Sequence, residues 1–418
     1  MSVEASRSWQ PVLEGQLAKS AVESVRAIAA RLREKTASSR ASLALGHAGL
    51  AVFFGYLPDE LLDAEAREIS ESYLDFAAEA VASQTMSASF FPGFTGVAWA
   101  LEHLGARNNG ANADDPNEEI DEALERLLEV SPWTGPYELA GGLVGIGAYA
   151  LERLPRPRAA RCLAHVVDRL HELAEQLPDG VAWRTAPRFL TLATPQQCPN
   201  GYFDLGVAHG IPGAICILAA AAQAGIAPEK CRRTVEQAAR WLWSYRLGGA
   251  AHSLFPPIIA SELAARPSRA AWCYGDAGVA AALLTAARAS RDGELEHRAL
   301  EVARAVASRP EELCGVVDAG LCHGAAGLGH IFNRFFHHSG EALFADASRN
   351  WFSRALEMRR PGQGIGGYSS AENSPGGGLD WVEDASLLTG AAGIALALLA
   401  ATTLIEPAWD RLLLLSLR

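Results

Sequence analysis

One stretch of small and aliphatic residues decides the fold, Gly390-Ala391-Ala392-Gly393-Ile394-Ala395-Leu396-Ala397-Leu398-Leu399. It is too long for a strand, and its Ala and Leu residues are good helix formers. The same Gly-x-x-Gly pair heads six other apolar runs, at Gly46/Gly49, Gly93/Gly96, Gly142/Gly145, Gly210/Gly213, Gly275/Gly278 and Gly324/Gly327. We therefore predict seven helices that are buried on all sides.

A charged segment with helical periodicity precedes each apolar run. In Glu65 to Ser83, for example, Ile69, Tyr73 and Phe76 fall on one face. The other segments are Val22–Lys35, Asn117–Val130, Arg158–Gln176, Glu229–Tyr245, Glu294–Ala307 and Gly340–Met358. Acidic residues tend towards their first turns and arginines towards their last, as the helix dipole favours. These are predicted to be seven amphipathic helices.

Seven polar helices alternating with seven apolar ones predict an all-α protein, an α/α toroid with an outer and an inner ring. A solenoid of the same helical hairpins is the alternative, although solenoids usually keep a stricter repeat length. We expect one domain over residues 1–418, with insertions near 178–204, 247–271 and 361–384. Each insertion precedes an apolar helix, so all three are expected to overhang one rim as a lid. A strand pair is predicted there, between Val181–Arg184 and Arg188–Leu192.

Two short stretches suggest a metal site at that rim. Trp272-Cys273-Tyr274-Gly275-Asp276 and Leu321-Cys322-His323-Gly324 each open an apolar run. Thiolate and imidazole are donors that zinc prefers, and three protein ligands leave the fourth tetrahedral position open. Both cysteines stand at matching places in the repeat, whereas a lone cysteine is more often a buried hydrophobic residue. We therefore predict that Cys273, Cys322 and His323 bind zinc.

Three more polar residues are predicted to lie near this rim. His209 precedes the pair Gly210/Gly213, and an imidazole can exchange a proton near neutral pH. Arg269, four residues before Cys273, could stabilise developing negative charge. Glu138 is expected either to orient His209 or to cap its own helix start.

Composition excludes several classes of partner and location. The net charge of −12 argues against binding to nucleic acid or to an anionic membrane. The seven cysteines have no regular spacing, which argues against a disulfide framework. The N-terminal Met1–Ala5 has an early acid and no apolar core like that of a signal peptide. Both features favour a reducing cytoplasm. The apolar runs from Ala385 to Ile405 and from Leu205 to Pro228 reach membrane-span length. Because Gly, Pro, Thr or Ser interrupt them, we expect buried helices and no integral membrane span.

In combination, four motifs resemble the lanthipeptide cyclases, the LanC family. These motifs are Ala208-His209-Gly210-Ile211-Pro212-Gly213, Trp272-Cys273-Tyr274-Gly275, Cys322-His323-Gly324 and Leu387-Leu388-Thr389-Gly390-Ala391-Ala392-Gly393. The resemblance implies an α/α toroid that binds one zinc ion per chain. It also implies that a peptide cysteine adds to dehydroalanine or dehydrobutyrine and forms a (methyl)lanthionine ring.

The resemblance also assigns roles to individual residues. His209 matches the family's acid/base histidine, Arg269 its active-site arginine, and Tyr274 the tyrosine after the zinc cysteine. Glu138 stands where the bacterial cyclases carry an aspartate. The expected substrate is a dehydrated precursor peptide, and a lanthipeptide dehydratase is the candidate partner. The protein is expected in the cytoplasm, or alternatively at the membrane through a biosynthetic complex.

Two other functions remain open at this point. One is a zinc enzyme that activates a thiol for a different electrophile, in glutathione addition or prenyl transfer. The other is a non-catalytic protein that keeps the zinc fold and binds a peptide or thiol.

Overall fold

A computed structural model describes residues 8–34, 40–62, 65–108, 115–248, 252–374 and 376–416. The N-terminal segment Met1–Ala5 and Lys35, at the end of the first predicted helix, lie outside these ranges. Within them the structure contains fourteen α-helices. Seven small strands and four short 3-10 helices complete the regular structure of the described residues.

The seven predicted apolar helices are present and line the inside of the fold. They are α2 His47–Tyr56, α4 Phe94–Asn108, α6 Leu143–Glu152, α8 Ile211–Gln223, α10 Asp276–Ser290, α12 Ala325–Ser339 and α14 Ala391–Thr402. All residues of α14 from Ala391 to Ala401 are buried, as expected of a helix enclosed on every side.

The seven predicted amphipathic helices are also present. They are α1 Gly15–Glu34, α3 Ala66–Ser83, α5 Glu118–Leu128, α7 Pro157–Leu173, α9 Pro228–Ser244, α11 Gly293–Ala307 and α13 Ala342–Glu357. Helix α7 shows the pattern, because it buries Leu163, Val166, Val167 and Leu170 on one face. Spacings of three and four residues place these side chains against the inner ring.

The inner helices form a closed ring. Each packs against the next in chain order, and α14 packs against α2. The ring is also closed on the outside, where α1 packs on α14 and the Nε1 of Trp9 donates to the carbonyl oxygen of Ala400 at 2.7 Å. This closure confirms the α/α toroid and excludes the open solenoid.

The glycine pairs mark the starts of the inner helices. The chain makes a six-residue turn before each helix, and a Cβ at Gly210 would lie 2.2 Å from the carbonyl oxygen of Asp204 in that turn. Backbone N–H groups of one turn donate to the carbonyl oxygens of a neighbouring turn: Ala44 to Phe91, Phe90 and Phe91 to Ala140, Ala140 to Ala208, Trp272 and Cys273 to Cys322, Cys322 to Leu388, and Leu387 to Ala44. The turns therefore form a rim of linked backbone at one end of the toroid.

The three long connections carry the strands. Strand β1 Glu175–Leu177 pairs with β2 Gly180–Ala182, and β4 Tyr202–Asp204 lies between β3 Arg184–Thr185 and β5 Ile258–Ile259. The third connection forms a hairpin of β6 Ser370–Asn373 and β7 Leu379–Val382.

The predicted strand pair between Val181–Arg184 and Arg188–Leu192 is wrong. The turn at Pro178 and Asp179 folds β2 back onto β1, and Arg184 pairs with Phe203. Pro187 begins a 3-10 turn over Pro187–Phe189, because proline lacks the N–H that a strand ladder requires.

The segment after α14 folds into the toroid. Its 3-10 helix Ala408–Leu413 is largely buried, and Asp410 accepts hydrogen bonds from His330 at 2.7 Å and from Arg334 at 2.6 Å, both on α12. From the other side, the Nε1 of Trp272 donates to the carbonyl oxygen of Leu413 at 2.8 Å. This axial segment, residues 408–414, thus connects α12 to the turn that carries Cys273.

The apolar runs that reach membrane-span length are inner helices of the toroid. Among the residues that the structure describes, no helix is both long and apolar enough to cross a membrane.

Candidate metal centre and its surroundings

Cys273, Cys322 and His323 come together at the rim. The two cysteines hold equivalent positions, two residues before the glycine that starts α10 and α12, and the N–H of Cys273 donates to the carbonyl oxygen of Cys322. One donor atom from each of the three side chains lies within 4.8 Å of the other two. The Sγ of Cys273 lies 3.9 Å from the Nδ1 of His323.

This cluster fits a mononuclear zinc ion. Zinc bonds of about 2.3 Å to sulfur and about 2.0 Å to nitrogen place tetrahedral ligand atoms roughly 3.5 to 3.8 Å apart. The observed separations approach that range, and Cys273 is buried while Cys322 and His323 are half-buried. The donor set of two thiolates and one imidazole matches the chemical preference of zinc.

The electrostatic surroundings favour a thiolate at Cys273. The Cys322 thiol donates a hydrogen bond to the Cys273 sulfur and holds the pKa of Cys273 well below its usual value, while the pKa of Cys322 is raised. The charge of Arg269 adds to the lowering at Cys273. The guanidinium of Arg269 makes no hydrogen bond or ion pair with a described residue, so this cation remains available to a ligand.

His209 and Glu138 form a hydrogen-bonded pair on the same rim. The Nδ1 of His209 lies 2.7 Å from Oε2 of Glu138, whose carboxylate also accepts from the N–H groups of Ala140 and Gly141 at 2.9 and 2.7 Å. The contact with His209 is therefore present, whereas the carboxylate bonds the turn before α6 and does not cap the helix itself, whose N-cap Gly142 has no side-chain cap. Burial lowers the pKa of His209, but the hydrogen bond and charge of Glu138 outweigh burial, so the pKa is raised above 6.5.

Tyr274 packs beside His209, with ring centroids 5.8 Å apart. Its hydroxyl contacts Oδ2 of Asp204 at 3.0 Å and the hydroxyl of Thr191 at 2.7 Å. Burial and the nearby Asp204 raise the pKa of Tyr274, so its phenol stays neutral. Burial also raises the pKa of Asp204, to about 7.

Asp204 and Thr191 were not among the residues singled out from the sequence. The signal for Asp204 is positional, since an aspartate stands six residues before the glycine that starts the helix in three repeats, at Asp204, Asp318 and Asp384. In each, the carboxylate accepts from the N–H two residues later, at 2.8 to 3.0 Å. Thr191 belongs to the connection between α7 and α8 and carries no comparable signal.

A closed α/α toroid that brings two cysteines and a histidine together at one rim defines a class, that of toroid proteins with a candidate mononuclear metal centre. The sequence identifies the family within that class. The family model described as "Lanthionine synthetase C-like protein" matches residues 38–414, and the chain belongs to this family.

A solved structure shares this fold over most of the chain. "Nisin cyclase" superposes with a TM-score of 0.73 at 19% identity, covering 94% of this chain and 96% of that chain. A D-mannose isomerase superposes with a TM-score of 0.43 at 14% identity, covering 71% of this chain and 84% of that chain. A search of curated proteins gave no significant match.

Proposed function

We propose that this protein is a zinc-dependent lanthipeptide cyclase, which closes thioether rings in a dehydrated precursor peptide. The observation that carries the proposal is the convergence of Cys273, Cys322 and His323 with the His209–Glu138 pair at one rim. Membership of the lanthionine synthetase C-like family supports it, as does the shared fold with nisin cyclase.

Cys273, Cys322 and His323 would hold the zinc. A bound zinc ion lowers the pKa of a coordinated thiol, so that a peptide cysteine with an ordinary pKa of about 8.5 is deprotonated near neutrality. Arg269, as a cation beside the same cluster, favours this thiolate further.

The proposed reaction adds the peptide thiolate to the β-carbon of dehydroalanine or dehydrobutyrine. A carbon–sulfur bond forms, the carbon–carbon double bond is lost, and negative charge moves to the amide oxygen as an enolate. The imidazolium of His209 returns a proton to the α-carbon, which replaces the proton lost by the thiol. Glu138 holds the imidazole by Nδ1 and raises its pKa, and thereby favours the protonated form of His209.

Two neighbouring groups suit the enolate stage. The guanidinium of Arg269 and the N–H groups at the starts of α8 and α10 provide positive potential where the oxygen becomes anionic. The neutral hydroxyl of Tyr274, held by Asp204 and Thr191, packs beside His209 and limits the orientations of its ring.

The first test is the metal content of the purified protein. We expect about one zinc per chain by mass spectrometry, as a single mononuclear site requires, and reduced zinc in Cys273→Ala, Cys322→Ala and His323→Ala. Cys198→Ala is the matched control, because it removes a thiol from the connection between α7 and α8 and should leave the zinc content unchanged. Full zinc in all three ligand variants would refute the site.

The second test is cyclisation of a dehydrated peptide that contains cysteine. Ring closure leaves the mass unchanged, so it is measured as loss of the alkylation that a free thiol gives with N-ethylmaleimide. We expect His209→Asn to abolish turnover while zinc and peptide binding persist. A non-catalytic binder would give no turnover in the unaltered protein. Conversion of glutathione or of a prenyl diphosphate in place of the peptide would favour the other thiol-activating functions.

A further inference from the structure

A groove lies on the rim beside the β6–β7 hairpin. Its volume is about 390 Å³. The walls are formed by the segment Val317–Ala319 before α12, by the C-terminal end of α13, by the connection that follows α13, and by Trp381 of β7. None of these residues belongs to the metal cluster or to the His209–Glu138 pair.

The groove adjoins the candidate metal centre. Ala319 in its wall stands three residues before Cys322, so their Cα atoms are at most about 11 Å apart. The carboxylate of Asp318 accepts from the N–H of Gly320 at 3.0 Å and from the N–H of Ala371 on β6 at 3.1 Å. One buried side chain therefore fixes the hairpin to the turn that carries Cys322. A peptide with a cysteine at the metal centre would reach the groove within about three or four extended residues.

The apolar part of the groove is exposed. Trp381 is 59% exposed, and Val317, in the wall formed by the segment before α12, is 43% exposed. The residue paired with Trp381 across the hairpin is Ala371, whose small side chain cannot cover the indole ring. Exposed tryptophan at the wall of a concave surface is typical of binding sites, because the ring offers a large rigid contact area.

The charged part of the groove is a cation without an acidic partner. Arg354 is neutralised by Glu311 at 2.6 Å and by Glu357 at 3.4 Å. Arg360 donates instead to the backbone carbonyl oxygens of Glu357 and Arg359, and it forms no ion pair with a residue that the structure describes. A guanidinium held by its own backbone in this way can still bind a carboxylate.

We infer that this groove binds an extended segment of the substrate peptide, with an apolar side chain against Trp381 and a carboxylate on Arg360. The inference rests on the proposed function for the identity of the peptide. It assigns the groove to residues about three or four positions from the reacting cysteine. The groove would thereby help to select which cysteine is presented for ring closure.

The test uses two fluorescein-labelled octapeptides with cysteine at position one and phenylalanine at position four, followed by Glu in one and Gln in the other. Binding to the full-length protein is measured by fluorescence anisotropy. We expect Trp381→Ala to weaken binding of both peptides about tenfold, as truncation of an interface tryptophan does. Arg360→Gln should weaken only the Glu peptide, by roughly three- to fivefold.

Leu379→Ala is the matched control, because Leu379 lies on the same strand, is 45% exposed, and does not line the groove. The Leu379→Ala variant should bind both peptides with the affinity of the unaltered protein. Equal affinities of the Trp381 and Leu379 variants, or no saturable binding to the unaltered protein, would overturn the inference. Saturable binding that depends on Trp381 together with no cyclisation of dehydrated peptides would refute the proposed activity and leave the groove as a peptide site.

Discussion

Asp410 is expected to make a pH-dependent contribution to stability. Burial raises its pKa, but the Arg334 charge and the His330 hydrogen bond outweigh burial and bring the pKa from 3.8 down to about 2. At about 1.4 kcal/mol per pKa unit, this shift corresponds to roughly 2 kcal/mol at neutral pH. Because the folded-state pKa is depressed, that stability is present above pH ~4 and is lost as the pH falls towards 2.

The substitution Asp410→Asn keeps the shape of the side chain and removes its charge. For 418 residues, an unfolding entropy of about 2.1 cal/mol/K per residue gives about 0.9 kcal/mol/K, so the loss should lower the Tm by roughly 2 to 3 °C. Differential scanning calorimetry at pH 7 and at pH 3 measures this change. The difference in Tm between Asp410→Asn and the unaltered protein should be smaller at pH 3 than at pH 7.

The control for this experiment is Asp346→Asn. Asp346 pairs with Arg349 at the surface, where its side chain is 69% exposed, and such pairs contribute about 0 to 1 kcal/mol. Its Tm should stay within about 1 °C of the unaltered protein. A Tm loss for Asp410→Asn that is the same at pH 3 and pH 7 would show that the charge of Asp410 is not the cause.

Three further outcomes are expected. Glu138→Gln should lower the pKa of His209 in an NMR titration, because Glu138 opposes the effect of burial. The basic limb of the pH–rate profile should move to lower pH with it. An unchanged His209 titration would contradict the role of Glu138. Trp272→Phe removes the hydrogen bond to the axial segment and should weaken zinc binding about tenfold, as measured by competition with a chelator. The control is Trp99→Phe, which should leave the zinc affinity unchanged because the buried Nε1 of Trp99 has no partner among the described residues. Gly105 lies inside α4, and no atom stands within 4 Å of a Cβ added there. Gly105→Ala should therefore raise the free energy of unfolding, measured in urea, by about 0.5 to 1 kcal/mol, because alanine loses less conformational freedom in a helix than glycine. A decrease would show strain in the helix.

The helices were predictable because the toroid has a strong physical signature. An inner helix such as α14 must be apolar on all sides, and an outer helix such as α7 must be apolar on one face, so the two types differ in sequence. The glycine pairs add the position of each helix start, since the preceding turn leaves no room for a side chain at Gly210. The approach of Cys273 to Cys322 follows from their equivalent places in the repeat.

The strand pairing and the position of the axial segment depend on contacts between residues far apart in the sequence, which helical periodicity does not reveal. Nothing in the local sequence pairs Arg184 with Phe203 rather than with the residues that follow it. Asp410 and Leu413 read as part of an ordinary C-terminal segment, and only the folded structure shows them meeting α12 and Trp272 inside the toroid. The roles predicted for His209, Arg269 and Tyr274 stay predictions.

Closure of the toroid also determines when the residues of the candidate metal centre can come together during synthesis. The turn that carries Cys322 is fixed by Leu388, and the N–H of Leu387 in that next turn donates to Ala44 near the start of the chain. The first repeat must therefore wait for the last, which takes roughly 20 to 70 s at translation rates of about 5 to 20 residues per second. Cys273 and Cys322 themselves wait for Leu388 while 115 and 66 residues are added, roughly 6 to 23 s and 3 to 13 s. During that wait they are unpaired thiols on an incomplete ring, so a reducing environment and a supply of the metal ion of the proposed centre matter most before the last turn is made.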